Sequence, residues 1–326
     1  MTADPRPLTP PTHGSAPADR GSRRSNDLFR GDRRLGLLLA FPATLAVALL
    51  VGGPAVQTIL YSFQKTNLNT PGTWVGLENY QRVIASPNFQ HSLGITFQYA
   101  VMFLVLSTAL GLAFALLLNV PFRLRSLGRT LLIIPWAAPW LMVGIMWKWF
   151  IDADVGMLNG ALYQVGLIDD YIPFLADTRV ALVMTVVAAA WRQAALTGLL
   201  FLAALQTIPH ELPEAATVDG AGRWQRFRYI TLPWLMPVGV VVLVTNTIFG
   251  FLQFDVIFIM TQGGPGNATE LLSMYLYKVL FNFAEYGAGS AVAVILGLIA
   301  FGVGMVFVRL LYRSDAGMGR APGDAS

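Results

Sequence analysis

Six long apolar runs alternate with polar stretches along this chain, at about residues 35–61, 95–118, 130–150, 180–205, 234–260 and 290–311. Each is long enough to cross a bilayer, because roughly 20 apolar residues in a helix span the hydrocarbon core. Arginines precede the first run, as in a secretory signal. A signal core is only about 7–15 residues long, and this run is well beyond that, so it reads as a retained helix. Residues 1–34 are rich in Pro, Gly, Ser, Asp and Arg and poor in apolar side chains. Such a composition cannot bury enough surface to fold and predicts a disordered basic tail. Residues 314–326 read as a second tail. The pattern predicts an all-α integral membrane protein, with six transmembrane helices within residues 35–313 and both ends on one side.

Composition supports this class. Of 326 residues 55% are hydrophobic and only 12% charged, with a mean hydropathy of +0.57. A soluble domain carries roughly twice that charged fraction. The absence of cysteine excludes disulfides and thiolate metal sites. Histidines 13, 91 and 210 are too scattered for a metal cluster. The net charge of +4 does not imply a nucleic-acid partner, because the arginines flank membrane runs, where they set orientation. Sixteen of the 22 Lys and Arg residues lie in the N-terminal tail, the 119–129 loop, the loop after Leu205 and the C-terminal end from Arg309 onward. The opposite loops, counted with their helix ends, hold Lys65, Arg82, Lys148, Arg179 and Lys278, and Arg192 lies inside a run. The positive-inside rule then places both termini and the 214–237 loop in the cytoplasm.

That loop reads EAATVDGAGRWQRFRYITLPWLMP. Pro213 and Glu214 suit a helix start, and Gly220 and Gly222 suit its stop and a reversal. A second short helix would carry Trp224, Phe227 and Ile230 on one face, with Arg223 and Arg226 beside them. Pro233 would then open the next run. As a bare turn this could be any cytosolic connection, but the spacing EAA-x3-G-x9-I-x-LP resembles the EAA loop of one family. That family comprises the membrane-spanning subunits of binding-protein-dependent ABC importers, specifically the maltose, trehalose and glycerol 3-phosphate type. Trp74-Val75-Gly76-Leu77-Glu78-Asn79-Tyr80 is similar to the family's box after the first helix. Thr261 with Gly263-Gly264-Pro265 matches its TxGGP turn, and Tyr286-Gly287-Ala288 fits as well. Ile95 departs from the pattern, where Asn is usual before Thr96. The resemblance covers about residues 35–313.

It implies a type I importer permease, with a MetI-like core at about residues 94–311 and an extra N-terminal helix. It implies that Glu214, Ala215, Ala216, Asp219 and Gly220 couple to a separate ATPase. The partners implied are a second permease subunit, two cytosolic ABC ATPase subunits, an extracytoplasmic solute-binding protein, membrane lipid and a sugar, in a bacterial plasma membrane. No cofactor is expected on this chain, with ATP and Mg on the partner. A phosphate-binding P-loop needs a lysine, and the three lysines, 65, 148 and 278, all fall in outer loops. The chain itself is therefore not expected to be an enzyme. An ion-coupled secondary transporter is one alternative, but such carriers use embedded carboxylates and often internal repeats. Here Asp255 is the only acidic residue within a run, and the two halves show no repeat. A non-transporting membrane scaffold is another alternative. A membrane enzyme would need a carboxylate pair, a histidine metal set or a Ser/His/Asp grouping, and none is apparent.

Two places could touch a solute. Arg192 and Gln193 fall at the middle of the fourth run, where a charge costs about 2.5 kcal/mol or more to insert and so should face a wet cavity or a partner such as Asp255. Asn246, Phe249 and Gln253 share one helix face by their spacing, with Gly250 beside them allowing close approach. Amides and a ring suit a sugar's hydroxyls and C–H face. They equally suit interhelical hydrogen bonding, worth about 0.6–2 kcal/mol. The resemblance assigns solute contacts to Arg192, Gln193, Leu196, Phe249, Gly250 and Gln253, and Trp140 could line the same cavity.

Overall fold

In a computed structural model of the chain, the described residues are 36, 38–67, 70–121 and 123–318. The tail expected at 1–34 lies outside them, as does everything beyond residue 318. The chain divides into two units, Met1–Gln57 and Thr58–Ser326. Helix α1 (Leu38–Ser62) begins in the first. It widens into a π turn at Ala48–Gly52, where the Gly53 N–H reaches back to the Ala48 carbonyl, just ahead of Pro54. A proline has no N–H and its ring crowds the carbonyl a turn earlier, so a wider turn relieves the clash.

In the second unit a small antiparallel hairpin, β1 (Gln64–Asn67) and β2 (Thr70–Trp74), sets Gln64 opposite Trp74. Helix α2 (Glu78–Ala85) leads to the long α3 (Pro87–Asn119), which starts well before the expected residue 95 because Pro87 occupies its first turn. The Trp74–Tyr80 box closes this corner. Asn79, buried, donates from Nδ2 to the Ser62 and Gln64 carbonyls, each at 2.9 Å. Trp74 stacks on Phe63 with ring centres 5.5 Å apart.

The third apolar run is not one straight helix. It forms α4 (Arg125–Ala137) and α5 (Trp140–Phe150), which meet at 102°. Pro139 forces Ala138 into an extended conformation, ψ 133°, and is itself extended at ψ 144°. Among the described residues five helices are long and apolar enough to cross a membrane, and the sixth crossing exists if this bent pair counts as one.

After α6 (Met157–Gln164), helix α7 (Thr178–Leu205) is the most buried of the candidate membrane spans. Asp177 caps it, its Oδ1 accepting the Val180 and Arg179 N–H groups at 2.9 Å. These bonds hold the carboxyl below the usual carboxylate range. Helix α7 packs closely on α3, where a Cβ added at Gly198 would lie 3.2 Å from the Gly111 carbonyl oxygen. Small residues permit this approach, as elsewhere in membrane helix pairs.

The 211–260 region completes the scaffold. Helix α8 (Glu211–Val218) is followed by a short α9 (Arg223–Arg226), a π turn at Phe227–Thr231 and α10 (Leu232–Phe251). The stretch Arg223–Met260 runs as one helical span. Pro233 falls in the first turn of α10, as the sequence suggested, but α10 is continuous with α9 instead of starting a separate helix. This proline sits in the same relation to its π turn as Pro54, and the wide turn keeps the helix continuous across it. Helix α11 (Asp255–Met260), the GGP turn, α12 (Leu272–Tyr277) and α13 (Tyr286–Met318) follow. In the turn Thr261 and Thr269 share a hydrogen bond at 2.7 Å, and Thr269 donates to the Gly264 carbonyl at 2.7 Å.

Candidate functional site

Arg192 stands in the middle of α7, half-buried, opposite the α4–α5 bend. Its Nε donates to the Ala138 carbonyl at 2.8 Å. That carbonyl is free because Pro139 interrupts the helix. The guanidinium lies 4.0 Å from the centre of the Trp140 ring, a cation–π arrangement. Trp140 in turn meets Phe249 of α10 at 6.0 Å, and Phe249 is 37% exposed. Asp255 makes no ion pair with Arg192; the ion pairs among the described residues are Arg82–Glu285 and Lys278–Glu270. Leu196, one turn further along α7, is half-buried on the same face. Arg192, Trp140 and Phe249 thus form a partly exposed cationic and aromatic platform within the membrane-spanning region, with Leu196 one turn along α7.

Gln193 turns the other way. It is buried and donates from Nε2 to Asn246 Oδ1 at 2.8 Å. Asn246 donates from Nδ2 to the Thr108 hydroxyl at 3.1 Å and to that of Thr197 at 3.3 Å. These four side chains knot α3, α7 and α10 together, a polar network in which Gln193, Thr197 and Asn246 are buried and Thr108 is half-buried at its edge. Gly250 is also interior: a Cβ there would lie 3.1 Å from the Ala100 Cα and 3.2 Å from a Phe103 ring carbon, so glycine permits α10 to approach α3. Gln253 is buried with its Nε2 lacking any hydrogen-bond partner, while its carbonyl oxygen on the backbone accepts the Ser273 hydroxyl. A buried unpaired donor is costly, about 1–3 kcal/mol.

The threonines of the knot were not singled out from the sequence. Thr197, four residues after Gln193, was the available signal. The ion pair of buried Glu270 with Lys278 was also missed. It ties the GGP turn to α3 through the Ser92 hydroxyl, which donates to Glu270 Oε1 at 3.4 Å. A lone glutamate in the segment after Pro265 would have marked it.

The loop at the other end of α7 carries the acidic-alanine sequence. Helix α8 begins at Glu211, with Pro213 tolerated in its first turn, and stops at Asp219. Gly220 adopts φ +81°, a conformation costly for other residues, and reverses the chain. Arg226 then donates to the Thr217 hydroxyl at 2.7 Å and braces α9 against α8. Glu214, Ala215, Asp219 and Gly220 are exposed, and Ala216 is half-buried. Trp224 and Tyr229 are 72% and 75% exposed. The loop presents a rigid, partly apolar knuckle to its surroundings.

Residues 107–316 match the family described as binding-protein-dependent transport system inner membrane component. The chain belongs to that family. This permease is 35% identical over 289 residues to the sulfoquinovosyl glycerol transport system permease protein SmoG of Agrobacterium fabrum, covering 87% of this chain and 92% of that one. It is 37% identical over 283 residues to the inner membrane ABC transporter permease protein YcjO of Escherichia coli, covering 85% and 95%. It is 33% identical over 280 residues to the trehalose/maltose transport system permease protein MalF of Thermococcus litoralis, covering 86% and 94%. Its fold matches a chain in the crystal structure of a bacterial ABC transporter involved in alginate import, with a TM-score of 0.76 at 22% identity over 88% of this chain and 99% of that one. The permease is thus a multi-pass inner-membrane subunit of an ABC transporter that works with a binding protein, its ATPase being carried by a partner chain.

Proposed function

We propose that this permease forms half of the translocation pathway of an ATP-driven carbohydrate importer. The carrying observation is the Arg192–Trp140–Phe249 platform: a flat guanidinium on an indole beside an exposed ring. Aromatic faces cover the C–H faces of a sugar ring, and the guanidinium nitrogens not used on Ala138 can donate to its hydroxyls. The unpaired Gln253 amide is a further donor for a hydroxyl. The saccharide names of the SmoG and MalF relatives support the same substrate class.

In this reading a second, similar permease completes the pathway, a solute-binding protein delivers the sugar from outside, and two cytosolic ATPase subunits supply ATP and Mg. Both termini and α8 face the cytoplasm, and this chain hydrolyses nothing itself. The ATPase grips Glu214, Ala215, Ala216, Asp219 and Gly220. Because each ATPase state must hold the loop with a different free energy, closure on ATP shifts the permease between outward and inward arrangements.

The test is uptake by proteoliposomes holding the full set of subunits, against a panel of sugars. Glu214→Lys and Gly220→Trp should abolish ATP-driven uptake while the chain still inserts. Uptake by this chain alone under an ion gradient would show a secondary transporter instead. Unchanged uptake after Arg192→Ala with Gln253→Ala would show a scaffold.

A further inference from the structure

A cavity of ≈ 710 Å³ opens beside the coupling loop, far from the platform, and its chemistry differs. Its wall is built by the end of α3 (Leu116, Asn119), the start of α4 (Arg125, Arg129), the end of α7 (Leu205, Gln206) and α8 with its approach (Ile208, His210, Pro213). No carboxylate lines it. The acidic side chains of α8, Glu211 and Glu214, are exposed and stand outside this wall. Arg125 spends its Nε on the Leu118 carbonyl at 2.9 Å, which fixes the side chain and leaves its terminal nitrogens available. Arg129 has a buried Nε with no hydrogen-bond partner. Two guanidinium groups one helical turn apart, one of them with an unsatisfied buried donor, are a site short of an anion.

We propose that this cavity binds a phosphate group, held between Arg125 and Arg129 and seated against α8. A guanidinium presents paired donors that match phosphate oxygens, while Asn119, Gln206 and the Thr231 hydroxyl supply neutral polar contacts. One wall is apolar, Leu116, Leu205 and Ile208, as an amphiphile would require. Basic cavities between membrane helices on the cytoplasmic side suit anionic lipid headgroups, and the side assigned here rests on the orientation proposed above. A bound phosphate would brace α4 against the helix that the ATPase grips, so occupancy would tune coupling.

The purified full chain tests this without any ATPase, so failure here leaves the transport reading standing. The chain is equilibrated with mixed phosphatidylglycerol and phosphatidylcholine vesicles in detergent, and retained lipid is counted by mass spectrometry. Wild type should retain phosphatidylglycerol in preference. Arg125→Gln or Arg129→Gln should reduce that preference roughly fivefold, and the pair about thirtyfold. Arg125→Lys with Arg129→Lys should keep most of it. In a parallel arm, inorganic phosphate added to protein in phosphatidylcholine nanodiscs reports on a soluble source. A rise in Tm lost in the glutamine pair, without lipid preference, would assign the site to a free phosphate. Wild type with neither lipid preference nor phosphate shift overturns the proposal, however the variants fold. So does a preference unchanged in the glutamine pair.

Discussion

Arg192 and Gln193 are neighbours in sequence and opposites in use. One step along α7 turns a side chain by about 100°, and here that step separates a half-exposed platform from a mostly buried knot. Arg192 rests on Trp140 with donors to spare. Gln193 spends its amide on Asn246, and Asn246 spends its own on Thr108 and Thr197. Polar residues deep in a membrane therefore fall into two kinds. Those whose hydrogen-bonding capacity is consumed by other helices hold the bundle together, and those with capacity left over can serve a solute.

Substitutions can break this division. Arg192→Ala should weaken sugar uptake most, roughly 10- to 100-fold in apparent affinity, since hydrogen bonds to a charged group are worth about 1.5–3 kcal/mol. Its Tm should fall much less than that of a knot variant. A large Tm loss with unchanged uptake affinity would reverse the assignment. Asn246→Leu leaves the Gln193 amide buried and unpaired and should destabilise the chain by about 1–3 kcal/mol. That is read as lowered Tm and abundance, with the uptake affinity of the surviving protein unchanged. Phe249→Ala should reduce affinity about fivefold, on the order of 1 kcal/mol for one aromatic contact, with little thermal effect. The smallest effect belongs to the cap of α7. The Asp177 carboxyl is held below its ordinary value of about 3.9, so its contribution is complete above that value and lost as pH falls through the lower folded one. Tm of wild type should fall on acidification in that range slightly more than Tm of Asp177→Asn. Equal slopes would remove the carboxylate from the account.

How much of this division could be read in advance depended on what decides it. The apolar runs and the acidic-alanine loop were legible because length and local spacing set them. Asn246, Phe249 and Gln253 read as one helix face, yet α10 ends at Phe251 and leaves Gln253 beyond it, and the three end in different situations: knotted, exposed, and buried with an unpaired amide. Periodicity names a face but not what the neighbouring helices bring to it. The 102° break at Pro139 was within reach, since a proline without an N–H interrupts a helix, but at Pro233 a π turn absorbed the fault and joined α10 to α9. Which outcome follows depends on the space around the helix. Glu270 and Lys278 were hidden for a different reason, as their pairing also recruits Ser92 from a distant part of the chain.

The unbroken passage from Arg223 to Phe249 gives the molecule a lever. At about 1.5 Å per residue it is some 40 Å long, with the acidic-alanine knuckle at one end and the aromatic ring at the other. Pivoting it by about 5° sweeps the far tip through roughly 3.5 Å, more than the length of a hydrogen bond. On the proposed coupling, a small push by a nucleotide-fuelled motor would arrive at the aromatic platform already magnified, with no relay of intermediate side chains required.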